Sequence, residues 1–221
     1  MGVKTVLSKN QQNILQILSR ESDIYNNFCL TGGTALAEYY LLHRYSEDLD
    51  FFCEQEIDPQ NISTLLKKIL KQTKTTKIEF QQSFNRNLFF LHLKNDVIKT
   101  EFTYFPFPKI EDGPKIGHLP IESLIDIAVN KIFTIYQNPR SRDFIDLYFI
   151  IQKEKYQIEE LIKKAKIKFD WHVDPIQLGS QFLKAETLKD YPKMIQKINN
   201  SEWINYFKNQ AKKLKNDIIN S

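Results

Sequence analysis

The sequence predicts an α+β protein, with one mixed sheet and its flanking helices first and helices alone afterwards. Two observations predict this order. Aromatic and β-branched alternation is confined to the stretch before residue 105, whereas every apolar pattern after residue 120 has helical spacing. Between them lies a proline-rich stretch, 105–120, with Gly113-Pro114 and Gly117 inside it. That composition reads as a loop and a boundary, giving domains of 1–115 and 116–221.

The elements follow in order. Residues 10–19 place Ile14, Leu15, Ile17 and Leu18 on one helical face. The short apolar run Phe28-Cys29-Leu30 stops at Gly32-Gly33, as a buried strand entering a turn does. Residues 34–43 return to helical spacing through Leu36, Ala37, Tyr40 and Leu41. Asp48-Leu49-Asp50-Phe51-Phe52 opens with polar–apolar alternation, so both aspartates belong to one face of a strand. Asp58-Pro59 is a helix cap followed by proline at the first helical position, with Ile62, Leu65, Leu66, Ile69 and Leu70 as the apolar stripe behind it. Strands are expected at 77–82, 87–94 and 97–104, with Lys94-Asn95-Asp96 as a hairpin turn. Helices are expected at 121–136, 141–153, 158–169, 175–183 and 202–219.

Composition bounds the function. Hydrophobic residues are 42% of the 221 and aromatics 13%, which suits a packed core and excludes a disordered chain. The net charge of +4, from 31 Lys and Arg against 27 Asp and Glu, is too small to announce a nucleic-acid binder by itself. No apolar run nears the roughly 20 residues of a bilayer crossing. The first residues lack the apolar stretch of a secretory signal, and Val6 is not the Ser or Thr that myristoylation at Gly2 calls for. Cys29 and Cys53 make neither a disulfide framework nor a zinc spacing, and their apolar neighbours suggest reduced core thiols. A cytoplasmic location without membrane partners is the expectation.

The chemistry gathers around Asp48 and Asp50. Carboxylates at i and i+2 on a strand can share a divalent cation, and transfer of phosphoryl or nucleotidyl groups by two metals needs two or three such acids. Glu101, in a strand with apolar flanks, is the candidate third acid, as metal ligand or general base. Taken alone, a D-x-D is far more often a solvated strand edge than a catalytic pair, and Gly32-Gly33 is equally an ordinary tight turn. Their combination is more specific. Two glycines admit a close ligand, and Thr34 opens a helix whose first N–H groups suit a phosphate. A phosphate cradle and a metal site separated by one helix describe a site for a nucleoside triphosphate.

These segments, Leu30-Thr31-Gly32-Gly33-Thr34-Ala35-Leu36 and Arg44-Tyr45-Ser46-Glu47-Asp48-Leu49-Asp50-Phe51-Phe52, resemble the signature of the AbiEii/AbiGii nucleotidyltransferase toxins within the polymerase-β nucleotidyltransferase superfamily. Gly33-Thr34 stands where the superfamily has Gly-Ser. Asp126-Ile127-Ala128-Val129-Asn130-Lys131 and Arg142-Asp143-Phe144-Ile145-Asp146-Leu147-Tyr148 resemble its later helical motifs, so the likeness spans about residues 28–150. It implies a polymerase-β-like core followed by a helical domain that completes the active site.

The resemblance also implies roles. Asp48, Asp50 and Glu101 would hold Mg²⁺ or Mn²⁺, and Gly32, Gly33, Thr34, Lys131 and Arg142 would hold the NTP. Lys131 would reach the triphosphate, with Asp143 either pairing with Lys131 or approaching the nucleotide. Asp146 is a second acid of that motif or a buried anchor between helices. His43 and Arg44 are possible nucleotide contacts, and His43 equally a helix-terminal residue. The implied reaction moves an NMP to an RNA acceptor, with the tRNA 3′ end as the best single guess. The implied setting is a toxin–antitoxin or abortive-infection system with an opposing antitoxin. Alternatives are transfer to a small molecule or a protein hydroxyl, and an inactive NTP-binding module. Lys208, Lys212, Lys213 and Lys215 form either a solvated helix face or a phosphate-backbone patch.

Overall fold

Ser8 starts the first helix, α1 (Lys9–Leu18), by a reciprocal cap. Its hydroxyl accepts from the Gln11 amide at 3.2 Å while the Gln11 side chain accepts from the Ser8 amide at 2.8 Å. The computed structural model describes residues 5–219, apart from the side chains at 69 and 216–219; the readings at Gly2 and for the Ile69 side chain lie outside the described residues. A short helix, α2 (Ser22–Tyr25), precedes β1 (Cys29–Thr31).

The helix expected from residue 34 begins earlier, as α3 (Gly32–Leu36), and widens into a π-helical turn over Ala37–Leu41. Leu42 ends it in the left-handed region at φ 49°, where a branched residue is uncommon. That reversal sends the chain back towards β2 (Leu49–Cys53). Asp58 caps α4 (Pro59–Ile69) as its sequence predicts, accepting the Gln60 amide at 2.9 Å with Pro59 in the first turn. Then come β3 (Lys77–Ser83), β4 (Arg86–Leu93) and β5 (Asp96–Tyr104), an antiparallel meander. The stretch read as loop also contains a small hairpin, β6 (Lys115–Ile116) with β7 (Leu119–Pro120).

The sheet is mixed, in the order β1-β2-β5-β4-β3. Only the β2–β5 pairing within it is parallel. Phe51 faces Phe102 in that register and the rings stack at 4.9 Å. Phe28 and Phe89 close on Phe102 edge-on, and Phe51, Phe89 and Phe102 are fully buried. Because strand side chains alternate, burying Phe51 and Phe102 on one face sends Asp50 and Glu101 to the other.

The chain divides into two compact units between Ser123 and Leu124, past the limit of 115 expected from the proline-rich stretch. The reason is a return of the chain to the sheet. Ile121 bridges Leu30 in parallel, and the Glu122 amide donates to the Leu30 carbonyl at 2.8 Å.

The second unit is helical, with α5 (Leu124–Gln137), α6 (Ser141–Glu154), α7 (Ile158–Lys168), α8 (Pro175–Leu183) and α9 (Asn200–Ile219). Its core holds Phe144, Phe182, Trp203 and Phe207, with Phe144 and Phe207 edge to face at 4.9 Å. Lys168 donates to Asp126 at 2.6 Å inside this core, with both side chains out of solvent. A lone buried charge would be costly, so each requires the other. Among the described residues, no helix is long and apolar enough to cross a membrane.

Candidate active site

Three carboxylates collect on the open face of the first unit's sheet. Asp50 and Glu101 are register partners on β2 and β5. Asp48 stands two residues before Asp50, just ahead of the strand. Lys99, two residues before Glu101 on β5, ties the group together. Its ammonium lies 2.8 Å from Asp48 Oδ2 and 3.7 Å from Glu101 Oε2. Lys99 thus lies between Asp48 and Glu101.

Arg86 supplies the second positive charge. Its guanidinium takes Glu101 in a two-pronged grip, with Nε to Oε1 and Nη2 to Oε2 both at 2.6 Å. Thr103 adds a third donor to Glu101, at 2.9 Å. Burial alone would push the Glu101 carboxyl up, but the bonds from Arg86 and Thr103 and the charges of Arg86 and Lys99 together hold it below its ordinary value. The Arg86 guanidinium is stabilised in turn, first by Glu101 and further by the charges of Asp50 and Asp48. Three acids and two cations thus compensate one another.

The glycine turn packs against this group closely. Gly32 has φ +74°, and a side-chain carbon there would come within 2.3 Å of Asp50 Oδ2. One at Gly33 would come within 2.3 Å of Arg44 Nη2. Each glycine thus leaves room for a charged side chain of its own chain. Thr34, expected among the NTP-binding side chains, turns inward instead. It is fully buried, and its hydroxyl donates to the Asp48 carbonyl. The Thr34 hydroxyl is therefore an anchor for Asp48 rather than a group presented at the surface. His43, entertained as a nucleotide contact, is also fully buried.

The residues fit a hard divalent cation by donor chemistry, since Asp48 and Asp50 offer carboxylate oxygens beside one another. Glu101 is a less open donor while Arg86 holds both its oxygens. Among the described residues, no three His, Cys, Asp or Glu side chains stand close enough together to enclose an ion.

In the helical unit, Lys131 on α5 donates to Asp143 at 2.7 Å and lies 2.8 Å from Asp146, both on α6. Asp146 is fully buried and Lys131 nearly so. The expected Lys131–Asp143 pair is present, and Asp146 completes a triad. Asp143 also accepts the Arg140 amide at 3.0 Å, at the start of α6. Arg142 is an exposed residue of that same turn. Of the C-terminal lysines, Lys208 pairs with Glu186 at 2.7 Å and Lys213 approaches Glu159 at 3.9 Å, which lightens the basic face. Cys53 is buried and Cys29 half-buried, and they form no disulfide with each other.

Arg86 and Lys99 were missed at the sequence level, though a signal existed. A turn at Lys94-Asn95 fixes the β4–β5 register, Leu93 opposite Asp96, which places Arg86 diagonal to Glu101. Lys99 shares the Glu101 face by simple alternation.

Paired acids on a mixed sheet, beside a glycine turn that enters a helix, make up the candidate site. The chain matches the family model of the nucleotidyl transferase AbiEii toxin, type IV toxin–antitoxin system, over residues 16–214. It belongs to that family, and is accordingly a nucleotidyltransferase with a toxin–antitoxin role. A protein of Aquifex aeolicus (strain VF5) is 33% identical over 167 residues, covering 74% of this chain and 76% of that protein. JHP933 from Helicobacter pylori has a similar structure, with a TM-score of 0.58, 21% identity and coverage of 97% and 95% of the two chains. A second Helicobacter pylori structure has a TM-score of 0.60 at 22% identity, covering 97% of this chain and 98% of that one. At such identities, these two structures speak for the fold alone.

Proposed function

We propose that the protein transfers an NMP from an NTP to the hydroxyl of an RNA acceptor, the tRNA 3′ end being the first to test, and releases pyrophosphate. The supporting observation is the gathering of Asp48, Asp50 and Glu101 around Lys99 and Arg86, next to the glycine turn. In this reading Asp48 and Asp50 hold Mg²⁺ or Mn²⁺, joined by Glu101. Bound divalent cations supply Lewis acidity to the acceptor hydroxyl and neutralise charge growing on the triphosphate.

The chain's own residues do the rest. Gly32 and Gly33 allow the turn's backbone to approach the phosphates. Glu101, when Arg86 releases an oxygen, accepts the proton of the attacking hydroxyl. In the helical unit, Lys131, kept oriented by Asp143, and the exposed Arg142 are the cations suited to phosphate. The setting is a cytoplasmic toxin, acting in abortive phage defence and opposed by an antitoxin.

The test is incubation with each labelled NTP and total RNA, comparing the wild-type protein with Asp48→Ala. Label must appear in an RNA band with wild type only. Label in protein or in a small molecule instead would replace the RNA acceptor. No incorporation into any acceptor would remove the reading altogether.

A further inference from the structure

Arg44 is a buried charged residue of the first unit that the chemistry above does not use. Only 3% of it is exposed, and its guanidinium lies over the Gly33 backbone. A side-chain carbon at Gly33 would meet Nη2 at 2.3 Å and the guanidinium carbon at 3.2 Å, with Ser46 Oγ also at 3.2 Å. Nη1 donates to the Tyr45 carbonyl at 2.9 Å, which fixes the plane of the group. The chain reaches this position by the π-helical turn Ala37–Leu41 and the left-handed Leu42. Irregular helix turns of this kind cluster at functional sites, and this one places Arg44 directly on the turn.

The same two glycines meet opposite charges. Gly32 adjoins the carboxylate of Asp50 and Gly33 the guanidinium of Arg44. The turn is clasped from both sides, so neither glycine can shift without moving a charged partner. We propose that Arg44 is a positioning residue for nucleotidyl transfer: its guanidinium, laid on Gly33, holds the Gly32-Gly33 backbone in the conformation that receives the triphosphate and keeps Asp50 in place. Arg44 itself touches no substrate. This rests on reading the turn as the NTP site.

The test is a double-mutant cycle on Gly33 and Arg44, read by binding of a non-hydrolysable ATP analogue (and GTP, CTP and UTP analogues) as well as by turnover. Arg44→Ala weakens NTP binding by about tenfold or more, since misplaced positioning groups cost up to about a hundredfold. Gly33→Ala does the same, because its methyl displaces the guanidinium. In the Arg44→Ala background, adding Gly33→Ala costs little further, because the guanidinium contacts are gone and only the Ser46 hydroxyl, at 3.2 Å, has to give. Millimolar methylguanidinium restores binding to Arg44→Ala but not to the double variant, whose new methyl fills the vacated space.

Where Arg44→Ala does not fold, Arg44→Lys serves, its ammonium carrying charge without the planar group that covers Gly33. It too binds NTP more weakly and makes Gly33→Ala harmless. Wild-type affinity in a folded Arg44→Ala or Arg44→Lys overturns the proposal, as does a full additional loss from Gly33→Ala in either background. Absence of NTP binding by the wild type overturns the site reading itself, and this proposal with it.

Discussion

The carboxylate of Asp50 occupies the space that any side chain at Gly32 would need, with only 2.3 Å between Oδ2 and the position of a Cβ. Gly32 also has φ +74°, which L side chains rarely adopt. Gly32→Ala is therefore expected to lower stability by about 1–3 kcal/mol. It also pushes Asp50 out of line, so NTP transfer falls by about a hundredfold. Urea unfolding and labelled-NTP turnover on the same variant check both. A stable variant with wild-type turnover would break the link between turn and acid.

Thr34 anchors Asp48 through its hydroxyl and the Asp48 carbonyl. Thr34→Val keeps the shape and removes the bond, at an expected cost of about 1 kcal/mol plus the unsatisfied carbonyl. Thr34→Ser retains the bond and stays close to wild type in activity. Chemical denaturation of the pair, compared with turnover, measures the difference.

Lys131 stands between two acids on α6, one of them wholly buried. Replacing it by Met leaves that negative charge without its ammonium. The helical unit should lose about 3 kcal/mol or more. Asp143→Asn, at the less buried end, should cost less. A midpoint for Lys131→Met equal to the wild type, followed by far-UV circular dichroism in urea, would contradict the triad.

Glu101 links the site to pH. Its folded carboxyl lies below its ordinary value because the Arg86 and Thr103 bonds, with the charges of Arg86 and Lys99, together outweigh burial. A depressed acid contributes stability above its unfolded pKa, and that contribution is lost as pH falls through the folded one. The stability gap between wild type and Glu101→Gln should be full near about pH 7 and shrink below about pH 4. A gap that grows on acidification would reverse the assignment of charge.

Much of the fold could be read from the sequence because the informative signals were local. Asp58-Pro59 specified its cap without any help from the rest of the chain. The Asp48–Phe52 alternation put both aspartates on the face opposite Phe51. Other features depend on partners far along the chain. Nothing local marks Ile121 as a neighbour of Leu30, so the unit boundary could not be read from the proline-rich stretch. The π-helical turn is invisible to a 3.6-residue period, and it is what brings Arg44 onto Gly33. The inward direction of Thr34 followed from the packing of the 48 backbone against α3, not from its residue type.

The parallel pairing of β2 with β5 has a consequence in time. Between Asp50 and its partner Glu101 the chain must first complete α4, β3 and β4. Contacts so distant in sequence carry a large loop-closure cost and form slowly. A polypeptide still on the ribosome, and ended before β5, has the glycine turn and both aspartates but not the strand that carries Lys99 and Glu101. Assembly of the acid cluster therefore waits on β5.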